Sequence, residues 1–109
     1  MASERFTYRL TKVAEADIDE TLSYITKTLG NPEAAESFVD ELEEKLGKIC
    51  KSPKTGKLVE NEFLTRRDVR RILVKNYIAY YVLDENSHSI VILRVVYGRR
   101  DQDKIVGDF

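Results

Sequence analysis

The chain has 109 residues, 42% of them hydrophobic and 34% charged, and 1–109 is read as one globular domain with a modest core. The net charge of −1 conceals a division: residues 1–50 carry six Lys/Arg against eleven Asp/Glu, whereas residues 51–109 carry twelve against eight. A cationic surface in the second half is expected to meet nucleic acid or an acidic peptide, while an isoelectric point near 5.9 argues against indiscriminate nucleic-acid binding.

The sequence has no run of 18 apolar residues, so no membrane span and no membrane partner are expected. Met1-Ala2-Ser3-Glu4-Arg5 lacks the apolar core of a signal peptide, which places the expected site of action in the cytoplasm. The single cysteine, Cys50, excludes an internal disulfide framework. Its helical spacing from Leu46 and Ile49 marks it as a small buried hydrophobe.

Phe6–Leu10 alternates apolar and polar residues, as a short half-buried strand does. Thr11 can then cap a helix whose apolar stripe runs through Ala14, Ile18, Leu22, Ile25 and Leu29, and Gly30 ends it. Asn31 and Pro32 restart the chain as N-cap and first helical residue, with Glu33 in the positive first turn. Ala35, Phe38, Val39, Leu42, Leu46, Ile49 and Cys50 form the second stripe, and so short a connection forces an αα-hairpin. Ser52-Pro53-Lys54-Thr55-Gly56-Lys57 reads as a turn-rich break.

Three strand-like runs follow: Val69–Val74, Tyr77–Leu83 and Ile90–Tyr97, with a polar turn at 84–89. The middle run is apolar at nearly every position, as a strand covered on both faces should be. The order β-α-α-β-β-β predicts an α+β fold in which a helical hairpin packs on one face of a small, mostly antiparallel four-stranded sheet. Asp101–Phe109 is short and polar, a tail or one helical turn.

Two-residue periodicity sorts the cations among faces. Arg70 shares a face with Ile72 and Val74, and Arg71 shares the other with Val69, Leu73 and Lys75. On the last strand the uninterrupted set Val91, Leu93, Val95 and Tyr97 is expected to meet the helices. That leaves Arg94 on the open face beside Arg71 and Lys75. Between Tyr80 and Tyr81 on the middle strand, Tyr81 is the expected open-face residue. Tyr97 falls in the core register unless a bulge or the strand's end at Gly98 releases it. Arg99 and Arg100 follow that glycine and have the chemistry to clamp phosphate.

No metal or cofactor site is predicted: His88 is the one histidine and lies in the turn, and no phosphate-loop spacing or Ser-His or Cys-His pair is present. Arg, Lys and Tyr remain. These can promote attack of a ribose 2′-hydroxyl on phosphate by orientation and charge stabilisation. An unperturbed tyrosine, with a pKa near 10, is a poor base unless cations lower it.

The ordered pieces Gly30-Asn31-Pro32-Glu33-Ala34-Ala35, Val69-Arg70-Arg71-Ile72, Asn76–Glu85 and Ile92–Asp101 resemble the RelE/ParE superfamily, the toxins of type II toxin–antitoxin modules, over nearly the whole length. Members include ribosome-dependent mRNA endoribonucleases and poisons of DNA gyrase. The ribonuclease pattern implies catalytic roles for Arg71 (or Arg70), Tyr97 and Arg100. RNA or partner contacts would fall to Lys54, Lys57, Arg70, Lys75, Tyr81, Arg94 and Arg99. The arginine common near the start of the middle strand is replaced here by Tyr77 or Ile78, and Tyr97 stands where a histidine is often seen. The resemblance implies an antitoxin partner together with either ribosome and mRNA or gyrase. The cationic sheet face makes the ribosome-dependent mRNA endoribonuclease the expected mechanism, and the Gly-Asn-Pro junction with its long second helix points to the alternative, a non-catalytic gyrase poison.

Overall fold

The computed structural model describes residues 5–109; residues 1–4, on which the signal-peptide expectation mainly rests, lie outside them. Strand β1 (Thr7–Leu10) leads into helix α1 (Lys12–Ser23), whose last turn widens into a π turn at Tyr24–Thr28. Local chemistry sets these boundaries. The Ala14 N–H donates to Thr11 Oγ1 at 3.0 Å, and Gly30 takes a φ of +61° that a side chain would oppose. Helix α2 (Pro32–Lys51) starts where the Ala34 N–H donates to Asn31 Oδ1 at 3.0 Å. The expected helical hairpin is present.

The expected stripe of α1 holds at Ala14 and Ile25, but between them Asp17 and Thr21 are buried more deeply than Ile18 and Leu22. Ala14, Asp17, Thr21 and Ile25 are buried, Ile18 and Leu22 are half-buried, and Leu29 is exposed. Asp17 is drawn inward by a partner on the sheet described below, and the π turn alters the helical phase only beyond Ser23, where Leu29 turns outward. In α2 the expected stripe holds, with Phe38, Leu42, Leu46, Ile49 and Cys50 all buried. Each large apolar side chain there contributes about 2 kcal/mol by leaving water. Burial also pushes the Cys50 thiol above its ordinary pKa.

The sheet has five strands rather than four, in the order β1-β5-β4-β3-β2. Strands β3 (Arg70–Val74), β4 (Tyr77–Asp84) and β5 (Ser89–Tyr97) form an antiparallel meander, and β1 pairs with β5 in parallel. The extra strand, β2 (Lys57–Leu58), follows a 3₁₀ turn at Pro53–Thr55 and pairs antiparallel with β3. Its two residues are too few for a periodic signal, and tertiary hydrogen bonds hold it.

The helical hairpin covers one face, over Val74, Ala79, Tyr81, Ile90, Ile92 and Val95. The opposite face is not open. A short helix, α3 (Gln102–Val106), folds the polar tail back and buries Ile105 and Val106 against Val69, Ile78, Tyr80, Val82, Val91 and Val96. A β-bulge interrupts the β4–β5 ladder, where Tyr80 and Tyr81 face Arg94 and Ile92, so that Leu93 is the extra residue. The bulge reverses the phase of β5 partway along. Ile90 and Ile92 before it and Val95 after it all meet the helical hairpin, whereas Val91 and Val96 meet α3. The face expected for Val91 and Leu93 is therefore corrected. Among the described residues no helix is long and apolar enough to cross a membrane.

Candidate functional site

The expected cationic face of Arg71, Lys75 and Arg94 does not form. Arg94 sits at the bulge, where strand phase no longer alternates, and turns toward the helices. Its Nε and one terminal nitrogen donate to the Asp17 carboxylate at 2.7 and 2.9 Å. The Val95 N–H donates to the same carboxylate at 3.0 Å. Asp17 thus replaces a strand partner on the edge of β5 that β1, ending at Leu10, does not reach. The hydrogen bonds that Arg94 donates to Asp17 first, and then the carboxylate's charge, push the Arg94 pKa still higher.

Tyr81 is the second correction. It is buried under the helical hairpin, not displayed on an open face. Its hydroxyl donates to the Pro53 carbonyl at 2.7 Å and accepts the Gly56 N–H at 2.9 Å. Arg70, on the same face as expected, donates to the Gly56 carbonyl at 2.7 Å and weakly to that of Lys54 at 3.4 Å. These two side chains pin the turn that carries Lys54 and Lys57. Tyr80 takes the opposite face and donates to Gln102 Oε1 at 2.6 Å. Burial raises the phenol pKa of both tyrosines, and Arg71 beside Tyr80 and Arg70 beside Tyr81 offset it only in part. Neither is shifted toward use as a base.

The structure does bring Lys75, Tyr97 and Arg100 together. They line a cleft of about 680 Å³ between α1 with its π turn and the turn joining β3 to β4. Its walls are apolar and aromatic: Tyr24, Leu29, Phe38 and Tyr77. Tyr77 stacks edge-on with Phe38 at 5.0 Å and with Tyr97 at 5.5 Å, a ladder of three rings from core to surface. Tyr97 is 40% exposed, so the bulge and the end of β5 release it from the core. Burial pushes the Tyr77 phenol up, with Thr21 beside it as a partial offset. Lys75 reaches the cleft because it occupies the turn, with a φ of +55°.

Other predicted residues lie elsewhere. Arg71 and Lys57 line a hollow of about 410 Å³ on the α3 face, with Tyr80, Asn61 and Gln102. Arg99 lines an adjoining hollow of about 370 Å³ beyond the β3–β4 turn, with Leu73 and Ile78, which shares Lys75 and Tyr97 with the aromatic cleft. Lys54 lies at the outer corner of β2 and β3. Among the described residues no three His, Cys, Asp or Glu side chains converge as a metal would require.

Asp17, Tyr24 and Tyr77 were missed from the sequence. A signal for Asp17 exists: a lone acid in phase with Ala14, Thr21 and Ile25, matched by a lone arginine in the apolar run of β5. Nothing comparable marks Tyr24, which only the π turn swings into the cleft.

A family model described as the ParE toxin of the type II toxin–antitoxin system parDE matches residues 8–102. The chain therefore belongs to this family and is a type II toxin–antitoxin toxin of the RelE/ParE kind. Among solved structures, the chromosomal ParDE system of P. aeruginosa contains a chain with TM-score 0.65 and 21% identity, covering 87% of this chain and 98% of that one. The RelBE2 toxin–antitoxin complex of Mycobacterium tuberculosis contains one with TM-score 0.60 and 22% identity, covering 85% and 98%. The archaeal RelE–RelB complex of Pyrococcus horikoshii OT3 gives 0.50 and 15%, covering 89% and 99%. At these identities the likeness is one of fold. No curated protein matched the sequence.

Proposed function

We propose that this toxin acts by binding rather than by cleaving RNA, as a poison of DNA gyrase, and that an antitoxin neutralises it by seating an apolar segment in the aromatic cleft. The observation that carries this reading is the dispersal of the cations. A ribonuclease built as the sequence suggested needs Arg71, Arg94 and Arg100 around one phosphate. Arg94 is committed to Asp17, while Arg71 and Arg100 line different clefts. The cleft in which Tyr97 meets Arg100 is mostly apolar, which suits a protein surface better than a scissile phosphate. Membership of the ParE family supports the gyrase target, and the neighbours' occurrence as toxin–antitoxin complexes supports the antitoxin.

Two assays on purified protein separate the mechanisms. Gyrase with plasmid DNA should accumulate trapped cleavage complexes as toxin is added, while mRNA in a translating extract should show no new codon-positioned ends. New ends without trapping would reverse the assignment. Coexpression with the product of the adjacent small gene should restore growth.

A further inference from the structure

We propose a second interaction surface, at the far end of β3 from the aromatic cleft, that grips the phosphodiester backbone of duplex DNA; it rests on the gyrase reading, in which the toxin meets an enzyme already holding DNA. The surface is the corner formed by β2, the start of β3 and the loop between them. Residues 54–71 place six cations there, Lys54, Lys57, Arg66, Arg67, Arg70 and Arg71, against three acids. Residues 12–51, which contain the helical hairpin, carry ten acids against five lysines, so this edge is positive where the helical layer is negative.

Three features set this corner apart from a solvated charge cluster. Lys57 stands directly opposite Arg71 in the β2–β3 register. Like charges in that relation repel, and neither residue makes an ion pair among the described residues. The turn that presents the lysines is also held more firmly than an exposed turn requires. Tyr81 and Arg70 clamp its backbone from beneath, and a Cβ on Gly56 would lie 2.5 Å from the Tyr81 hydroxyl. Such pre-ordering suits a rigid ligand with regularly spaced charges. Finally, beside the corner runs an open cleft of about 740 Å³, floored by Val82, Val91 and Leu93 and rimmed by Lys54 and Arg67. Of its three acids, Asp68 is paired with Arg66 at 2.7 Å and Asp84 with Arg9 at 3.9 Å, while Glu85 makes no ion pair among the described residues. Arg71 and Lys75 are about 13 Å apart along the strand, so the corner and the aromatic cleft can be occupied together.

The test uses the full chain without gyrase, so its failure leaves the gyrase reading standing and the reverse also holds. Fluorescence anisotropy should show a labelled duplex bound at low salt, with affinity falling as salt rises by about 0.9 log unit per log unit for each phosphate met. The K57A/R71A double variant, altered at exposed positions only, should bind about tenfold more weakly with a slope smaller by about two. Lys27→Ala, on the far layer, should stay within about twofold of the parent. Undiminished binding by the double variant would overturn the proposal. So would tighter binding of single-stranded RNA of equal length, or displacement of the duplex by polyglutamate at equal charge, which would assign the corner to RNA or to an acidic protein.

Discussion

Asp17 and Arg94, 77 positions apart in the chain, form a bidentate pair that joins α1 to β5 at the bulge, and the same carboxylate also accepts the Val95 N–H. The Asp17 side chain is 8% exposed and that of Arg94 20%. Deleting one partner at such a site strands the other without compensation, a loss of about 3–5 kcal/mol for a fully buried pair. Asp17→Ala is expected toward the lower end of that range because Arg94 retains some water contact. The replacement D17L/R94M should recover much of the loss, and urea unfolding of both singles and the double completes the cycle. Additive losses would show that the pair is not coupled.

Tyr81 and Gly56 form the second lock. Tyr81→Phe removes the donor to Pro53 and the acceptor from Gly56, at a cost of about 1–3 kcal/mol. Gly56→Ala drives a methyl into the Tyr81 hydroxyl and the Arg71 carbonyl, only 2.6 Å away, and should cost at least as much. The reason is space, since Gly56 has an ordinary φ of −72°. In the Tyr81→Phe background the Gly56→Ala penalty should shrink only in part, because the hydroxyl collision is gone while those with the ring Cε1, at 2.8 Å, and the Arg71 carbonyl remain.

Stability should be insensitive to pH through neutrality and fall in alkali. Burial raises the folded-state pKa of Cys50 above 9.0 and of Tyr77, Tyr80 and Tyr81 above 10.0. Below about pH 9 these groups hold their protons in both states and add no slope. Above it, the unfolded chain releases protons that the folded chain still keeps, so unfolding gains free energy. Urea midpoints measured between pH 7 and 11 should decline from about pH 9 upward, and less steeply in Tyr80→Phe.

The aromatic cleft should decide partner affinity. Tyr97→Ala removes the exposed end of the ring ladder and is expected to cut antitoxin binding by about 2 kcal/mol, roughly thirtyfold. Thermal stability should change little, because Tyr97 is 40% exposed. Isothermal titration alongside a melting curve reads both. Unchanged affinity would move the antitoxin's anchor away from this cleft.

Much of the framework was legible without coordinates. Thr11, Gly30, Asn31 and Pro32 act through hydrogen bonds and dihedral angles within a few residues, so the helix ends and the hairpin between them follow from local sequence. The phase of β3 was also legible, with Ile72 and Val74 inward and Arg71 outward. The α3 helix was not, since five residues make too little periodicity and long-range contacts hold it to the sheet: Ile105 and Val106 by packing, and Gln102 by accepting from Tyr80.

The sequence by itself determined the kinds of element, their order and the presence of arginines that needed partners. Tertiary structure alone decided which partners they found. Two-residue alternation divides a strand into two sets without saying which is inside, and a single bulge at Leu93 exchanges them partway along. The acid that takes Arg94 comes from a different layer, through a hydrogen bond spanning most of the chain, and no window of sequence contains both ends of it.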